Sequence, residues 1–145
     1  MYREILLPTD GGPASQAAVS HAVELAEQYD GRLHILYVVD TIAFASLDAG
    51  TETVISALRQ EGETALEGVA ETAQQADVSV SSEIVSGSPY KQITTYATAN
   101  DIDLIVMGTH GRTGLDRYLL GSVTERVVRT ADAPVLTVRA SEDES

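Results

Sequence analysis

The chain has 145 residues, of which 43% are hydrophobic and none is cysteine, and its formal net charge is −13. That length fits one domain burying about two-thirds of its unfolded surface, and the missing cysteines exclude disulfides, thiolate catalysis and thiolate-bound metal. So acidic a surface repels nucleic-acid phosphates, which excludes DNA or RNA as its general partner, and no apolar run nears the roughly 20 residues needed to span a bilayer.

The opening "MYREILLPTD" lacks the basic-then-apolar layout of a signal peptide, so the expected location is the cytoplasm. Only one of the nine basic residues is a lysine, Lys91. Ordinary acidic solubility is one reading of this balance; a high-salt cytoplasm, where screening relieves carboxylate self-repulsion, is the sharper one.

Along the chain, short apolar runs alternate with longer periodic segments. "EILLP" at 4–8 reads as the first strand, followed by a helix over 13–29 with Ala18, Ala22, Leu25 and Tyr29 on one face. "LHILYVV" at 33–39 is the second strand, and a helix over 52–75 then aligns Ile55, Leu58, Ala65, Val69 and Ala73. "VSVSSEIV" at 78–85 alternates more than the other strands, "LIVMG" at 104–108 is uniformly apolar, and "PVLTV" at 134–138 closes the series. Shorter helices fit near 89–99 and 122–131. The β-α-β-α-β-α-β-α-β order predicts an α/β fold, an open parallel five-stranded sheet with helices on both faces. One domain over 1–140 and a disordered acidic tail at 141–145 are expected. The two long irregular pieces, 40–51 and 108–121, suit functional loops.

Four glycines fall within fourteen residues of the second piece: Gly108, Gly111, Gly114 and Gly121. This loop joins the carboxyl end of the fourth strand to the start of the fourth helix, the edge where open α/β sheets bind ligands. Free amides and the positive end of a helix dipole favour an anion there. Residues 108–124 carry Arg112 and Arg117 against Asp116 alone, with His110 beside them, so the window is locally positive in an acidic chain. Ser122-Val123-Thr124-Glu125 also reads as a capping box, with Ser122 merely capping the helix and Glu125 reciprocating. Phosphate binding and a plain capped loop both fit the spacing. Neither a Walker-type loop nor the G-x-G-x-x-G dinucleotide fingerprint is present. Asp10, at the mouth of the first strand, fits an Asx turn, a helix cap or a ribose or base contact.

These residues resemble the ATP-binding branch of the universal stress protein family. Its signature, G-x2-G-x9-G-[ST], is filled by Gly108, Gly111, Gly121 and Ser122, and the similarity extends through "ILLPTDGG", "LHILYVVD" and the whole of 103–139. The resemblance implies strand order 3-2-1-4-5 with phosphates admitted by Gly108, Gly111 and Gly121. The donors would be Ser122 and the amides of Val123 and Thr124. Asp10 would face the ribose or adenine beside Pro8 and Thr9, Val38 or Val39 would pack on the base, and Met107 would line the floor. Where the family commonly has Asp-Gly-Ser, this chain has Gly12, with Ser15 as a substitute hydroxyl.

Three functions follow: a nucleotide-binding regulatory protein acting in stress responses through a downstream partner, a slow ATPase, or a ligand-free interaction module. His110 is the one candidate base in the loop and equally a phosphate donor. No metal-ligand spacing occurs, so Mg²⁺ would arrive with ATP. The intact glycine pattern argues against the ligand-free module, and catalysis beyond weak hydrolysis has no residues behind it. The fifth strand would be an apolar edge, for which a homodimer through residues 134–139 is expected.

Overall fold

The structure, a computed structural model, describes residues 1–10, 13–41, 51–109 and 121–139. Nine elements follow in order: β1 (Glu4–Thr9), α1 (Pro13–Gln28), β2 (Arg32–Asp40), α2 (Thr51–Gln75), β3 (Ser79–Gly87), α3 (Pro89–Ala99), β4 (Leu104–Gly108), α4 (Ser122–Thr130) and β5 (Val135–Val138). The five strands pair in parallel in the order β3-β2-β1-β4-β5. Every residue of β4 is buried, as a central strand covered on both faces requires. β3 lies at one edge, where its alternation and its serines meet solvent. β2 and β3 run to Asp40 and Gly87, further than their apolar runs predicted, and Val38 and Val39 both lie within β2. The tail at 141–145 lies outside the described residues.

Side chains alternate across the sheet into two cores. Ile5, Leu7, Ile35, Tyr37, Val39 and Val106 pack beneath α1 and α2. Leu6, Leu36, Ile105 and Met107 pack on the other face with Ile93 and Ala97 of α3 and Val127 of α4. The periodicity in α1 is confirmed at Ala18 and Ala22, but Val19, Val23 and Ala26 are buried too, a broader stripe than expected. His34, in β2, is held inside the fold. It is buried, with Nδ1 2.8 Å from the Tyr96 hydroxyl and Nε2 2.7 Å from Glu4 Oε1. Burial pushes the Tyr96 hydroxyl's pKa above its ordinary value, with Glu83 and Glu4 adding and Arg32 opposing.

Three helices end alike at the opposite edge of the sheet from the glycine loop. Asp30, Asp77 and Asp101 follow α1, α2 and α3 with φ of 52°, 59° and 50°. In each case its N–H and the next one reach back to helix carbonyls, as from Asp77 to Gln74 and from Val78 to Ala73. This is the left-handed closure that glycine usually provides, here made by a carboxylate at the negative end of a helix. Asp77→Gly is therefore expected to stabilise the fold by about 0.5–1 kcal/mol, through relief of the left-handed and dipole costs. In a domain of this size that amounts to roughly 1–3 °C in a melting curve.

Candidate functional site

The sheet reverses its winding between β1 and β4, whose carboxyl ends stand side by side. Ile5 pairs with Leu104 and Leu6 with Ile105. Continuing that register sets Pro8 level with Met107 and Thr9 level with Gly108. Pro8, Thr9 and Met107 are buried, while Asp10 at the rim is half-buried. Asp10 is anchored: the Ser15 hydroxyl donates to its Oδ1 at 2.9 Å. Ser15 thus orients the carboxylate.

Val38 and Val39 separate by strand alternation. Val38 is half-buried and packs against the core that contains Met107 and supports α4. Val39 is 1% exposed beneath α1 and α2. Only Val38 shares a face with Met107 and the start of α4.

At the start of α4 the structure corrects the capping box. The N-cap is Gly121, with φ −62° and ψ 154°, and it makes no side-chain cap bond. Ser122 is the first helical residue and is exposed, while Glu125 pairs with Arg129 at 2.7 Å instead of reaching back. The one-residue shift moves Glu125 past the position from which it could reciprocate. The first bond of the helix ladder runs from the Glu125 N–H to the Gly121 carbonyl at 2.9 Å. The amides of Ser122, Val123 and Thr124 precede it, as first-turn amides do.

Two tethers hold these amides against β4. The buried Thr124 hydroxyl donates to the Gly108 carbonyl at 2.9 Å, so its proton is occupied. The Gly121 N–H donates to the Thr109 carbonyl, and the Thr109 N–H donates to Val138 at 2.9 Å. The two stems of the glycine loop are thereby bonded to each other, a contact with no signal in the sequence. His110, Gly111 and Arg112 lie outside the described residues. Gly108 ends a strand and Gly121 has a φ open to any residue, so neither glycine is required by its own backbone conformation. Glycine at two such positions, one ending β4 and one capping α4, suits a group that comes close to the main chain.

A groove of about 710 Å³ opens elsewhere, between α1 and α2, and reaches this edge only at Asp10. Its described lining residues include the carboxylates Asp10 and Glu61 and no lysine or arginine, which does not suit a phosphate. Among the described residues no cluster of His, Asp and Glu could hold a metal ion. No described helix is long and apolar enough to cross a membrane.

The sequence matches the universal stress protein family over residues 1–139. It is 40% identical to a universal stress protein of Methanocaldococcus jannaschii, covering 99% of this chain and 86% of that one. The solved structure of a second protein of that name from the same organism superimposes with a TM-score of 0.88 at 30% identity, covering 98% of this chain and 99% of the other. A universal stress protein crystallised in complex with cAMP aligns with a TM-score of 0.70 at 26% identity, over 97% and 98% of the two chains. By sequence over nearly its whole length and by the order of its strands, the chain belongs to the universal stress protein family.

Proposed function

We propose that this protein binds ATP in the cleft between the carboxyl ends of β1 and β4 and the start of α4, and acts as a regulator rather than as an enzyme. The observation that carries the reading is the pair of glycines, Gly108 and Gly121, in ordinary backbone conformations beside three first-turn amides. The phosphates would lie against Gly108, Gly121 and the amides of Ser122, Val123 and Thr124, with Gly111, His110 and Arg112 contributing from the loop. Asp10, beside Pro8 and Thr9, would accept from the ribose, and the base would rest on Val38 with Met107 beneath. Mg²⁺ would be held by the phosphates. The cAMP complex of a relative supports an adenine nucleotide as the ligand class.

The rest of the reading is a cytoplasmic homodimer of one domain over 1–140, passing nucleotide occupancy to a protein partner in a stress response. Extraction and identification of nucleotide from protein purified without added ligand tests it. Recovery of ATP supports the proposal; an empty protein that also fails to bind millimolar ATP overturns it.

The acidic surface suits a high-salt cytoplasm. Melting temperature is expected to rise between about 0.1 M and 1 M KCl, as the Debye length falls from ~10 to ~3 Å. A flat response would return the composition to ordinary solubility.

A further inference from the structure

Apart from the cleft at β4, the groove of about 710 Å³ between α1 and α2 has a chemistry of its own. Its α2 wall is made by Ala57, Gln60, Glu61, Thr64, Gly68 and Thr72. These lie three or four residues apart along one face of the helix, over about 22 Å at 1.5 Å per residue. Val19 of α1, Tyr37 of β2 and Val69 of α2 form a buried, apolar floor. Two glycines of α2 bear on this groove in opposite ways. An added Cβ at Gly62 would stand 2.6 Å from Tyr37 Cδ1, so glycine there lets the ring press against the helix. An added Cβ at Gly68 would meet nothing within 4 Å, and Gly68 has no positive φ. Neither packing nor backbone conformation calls for glycine at 68, in mid-helix, where it costs stability relative to alanine. The space above it is open groove.

The walls accept hydrogen bonds more than they donate them. The Thr64 and Thr72 hydroxyls donate to their own helix, at the Gln60 and Gly68 carbonyls, at 3.2 and 3.1 Å. Their oxygens are left to accept. Glu61 and Asp10 are carboxylates, which when ionised only accept, and the amides of Gln16 and Gln60 can turn an oxygen inward. No lysine, arginine or histidine is among the described lining residues, and the one basic residue of α2, Arg59, donates to Ser86 of β3 at 3.2 Å. Such walls suit a ligand rich in donors and poor in acceptors. An ammonium group has three donors and no acceptor. The apolar floor and the length of the groove call for methylenes between several such groups.

We propose that the groove between α1 and α2 binds a linear aliphatic polyamine. Its methylenes lie over Val19, Tyr37, Val69 and the bare backbone at Gly68, and its ammonium groups meet Glu61, Asp10 and the threonine oxygens. The proposal does not depend on nucleotide in the β4 cleft, with which the groove shares only Asp10.

The test is calorimetric titration of spermidine into protein without added nucleotide, in about 0.15 M KCl. The Debye length there is ~8 Å, so diffuse attraction to an acidic surface is largely screened. Wild type should bind saturably. Gly68→Leu keeps every charge and fills the open space. It should melt roughly 2–3 °C higher, leucine being the better helix former, and bind spermidine more weakly by about tenfold or more. Glu61→Gln should lose roughly tenfold, the scale of one charge-assisted hydrogen bond. Glu67→Gln removes the same charge from α2 at an exposed position outside the groove lining, and should change affinity by less than about twofold. The glutamate pair decides alone if Gly68→Leu fails to fold. Absence of saturable binding to wild type at millimolar spermidine overturns the proposal. So does a folded Gly68→Leu that binds like wild type, or equal losses from Glu61→Gln and Glu67→Gln, which would mark attraction to the acidic surface as a whole.

Discussion

Gly121→Asp protein is expected to fold at least as well as wild type and to bind ATP-Mg²⁺ at least a hundredfold more weakly. The two effects have different origins. Gly121 is the N-cap of α4, in an extended conformation that aspartate adopts without strain. Aspartate is also a better N-cap than glycine by a few tenths of a kcal/mol. The same side chain places a carboxylate where the phosphates are proposed to lie, against Gly108 and the first-turn amides. Like charges brought together in a partly desolvated contact cost several kcal/mol, and each 1.4 kcal/mol is a factor of ten in affinity. Ser122→Ala should be milder, about 1 kcal/mol or fivefold, because the backbone donors remain. It should leave stability nearly unchanged, since Ser122 makes no cap bond. Calorimetry paired with melting curves separates the outcomes. Unchanged binding by Gly121→Asp would put the phosphates elsewhere.

A second large effect is expected at the opposite edge of the sheet from β3. The protein should be a dimer at micromolar concentration, and Thr137→Pro should raise its dissociation constant by two orders of magnitude or more. Among the described residues β5 pairs only with β4, and Leu136 is 37% exposed. The carbonyls of Pro134 and Val138 accept from Ile105 and Thr109, both at 2.9 Å, so these residues direct their backbone toward β4. By the two-residue period of a strand, Val135 and Thr137 direct theirs toward the open edge. A proline at 137 removes an outward N–H and leaves the β4 ladder intact, as prolines on edge strands do. In a two-fold interface each loss counts twice. Val138 is a poorer probe because it is buried, 8% exposed, and a lysine there would damage the core beneath α1. Sedimentation or light scattering decides. A monomeric wild type, or a Thr137→Pro protein that stays dimeric, would place the contact elsewhere.

The strands and helices were legible because their signals are local and agree with one another. The buried run "LIVMG" becomes β4 with no shift of boundary, and the helix over 89–99 begins and ends where the pattern put it. Boundaries moved where pairing, rather than composition, sets length. β2 continues to Asp40 because β3 continues beside it to Gly87. The capping box failed for a related reason. Ser122 and Glu125 satisfy the pattern in any register, but the tethers from Gly121 to Thr109 and from Thr124 to Gly108 draw the helix start back by one residue.

By itself the sequence determined the α/β class, the family, the placement of the glycines and the acidic balance. Each of these is written in residue type and spacing along the chain, which folding does not alter. The tertiary structure decided which of two adjacent valines shares a face with the loop, because a pleated strand sends neighbours to opposite sides and only the packed helices say which side is which. It also tied the Asp10 carboxylate to Ser15, and pressed the Tyr37 ring against α2 at Gly62. Those are contacts between side chains and a backbone that meet only once the sheet and its helices are assembled.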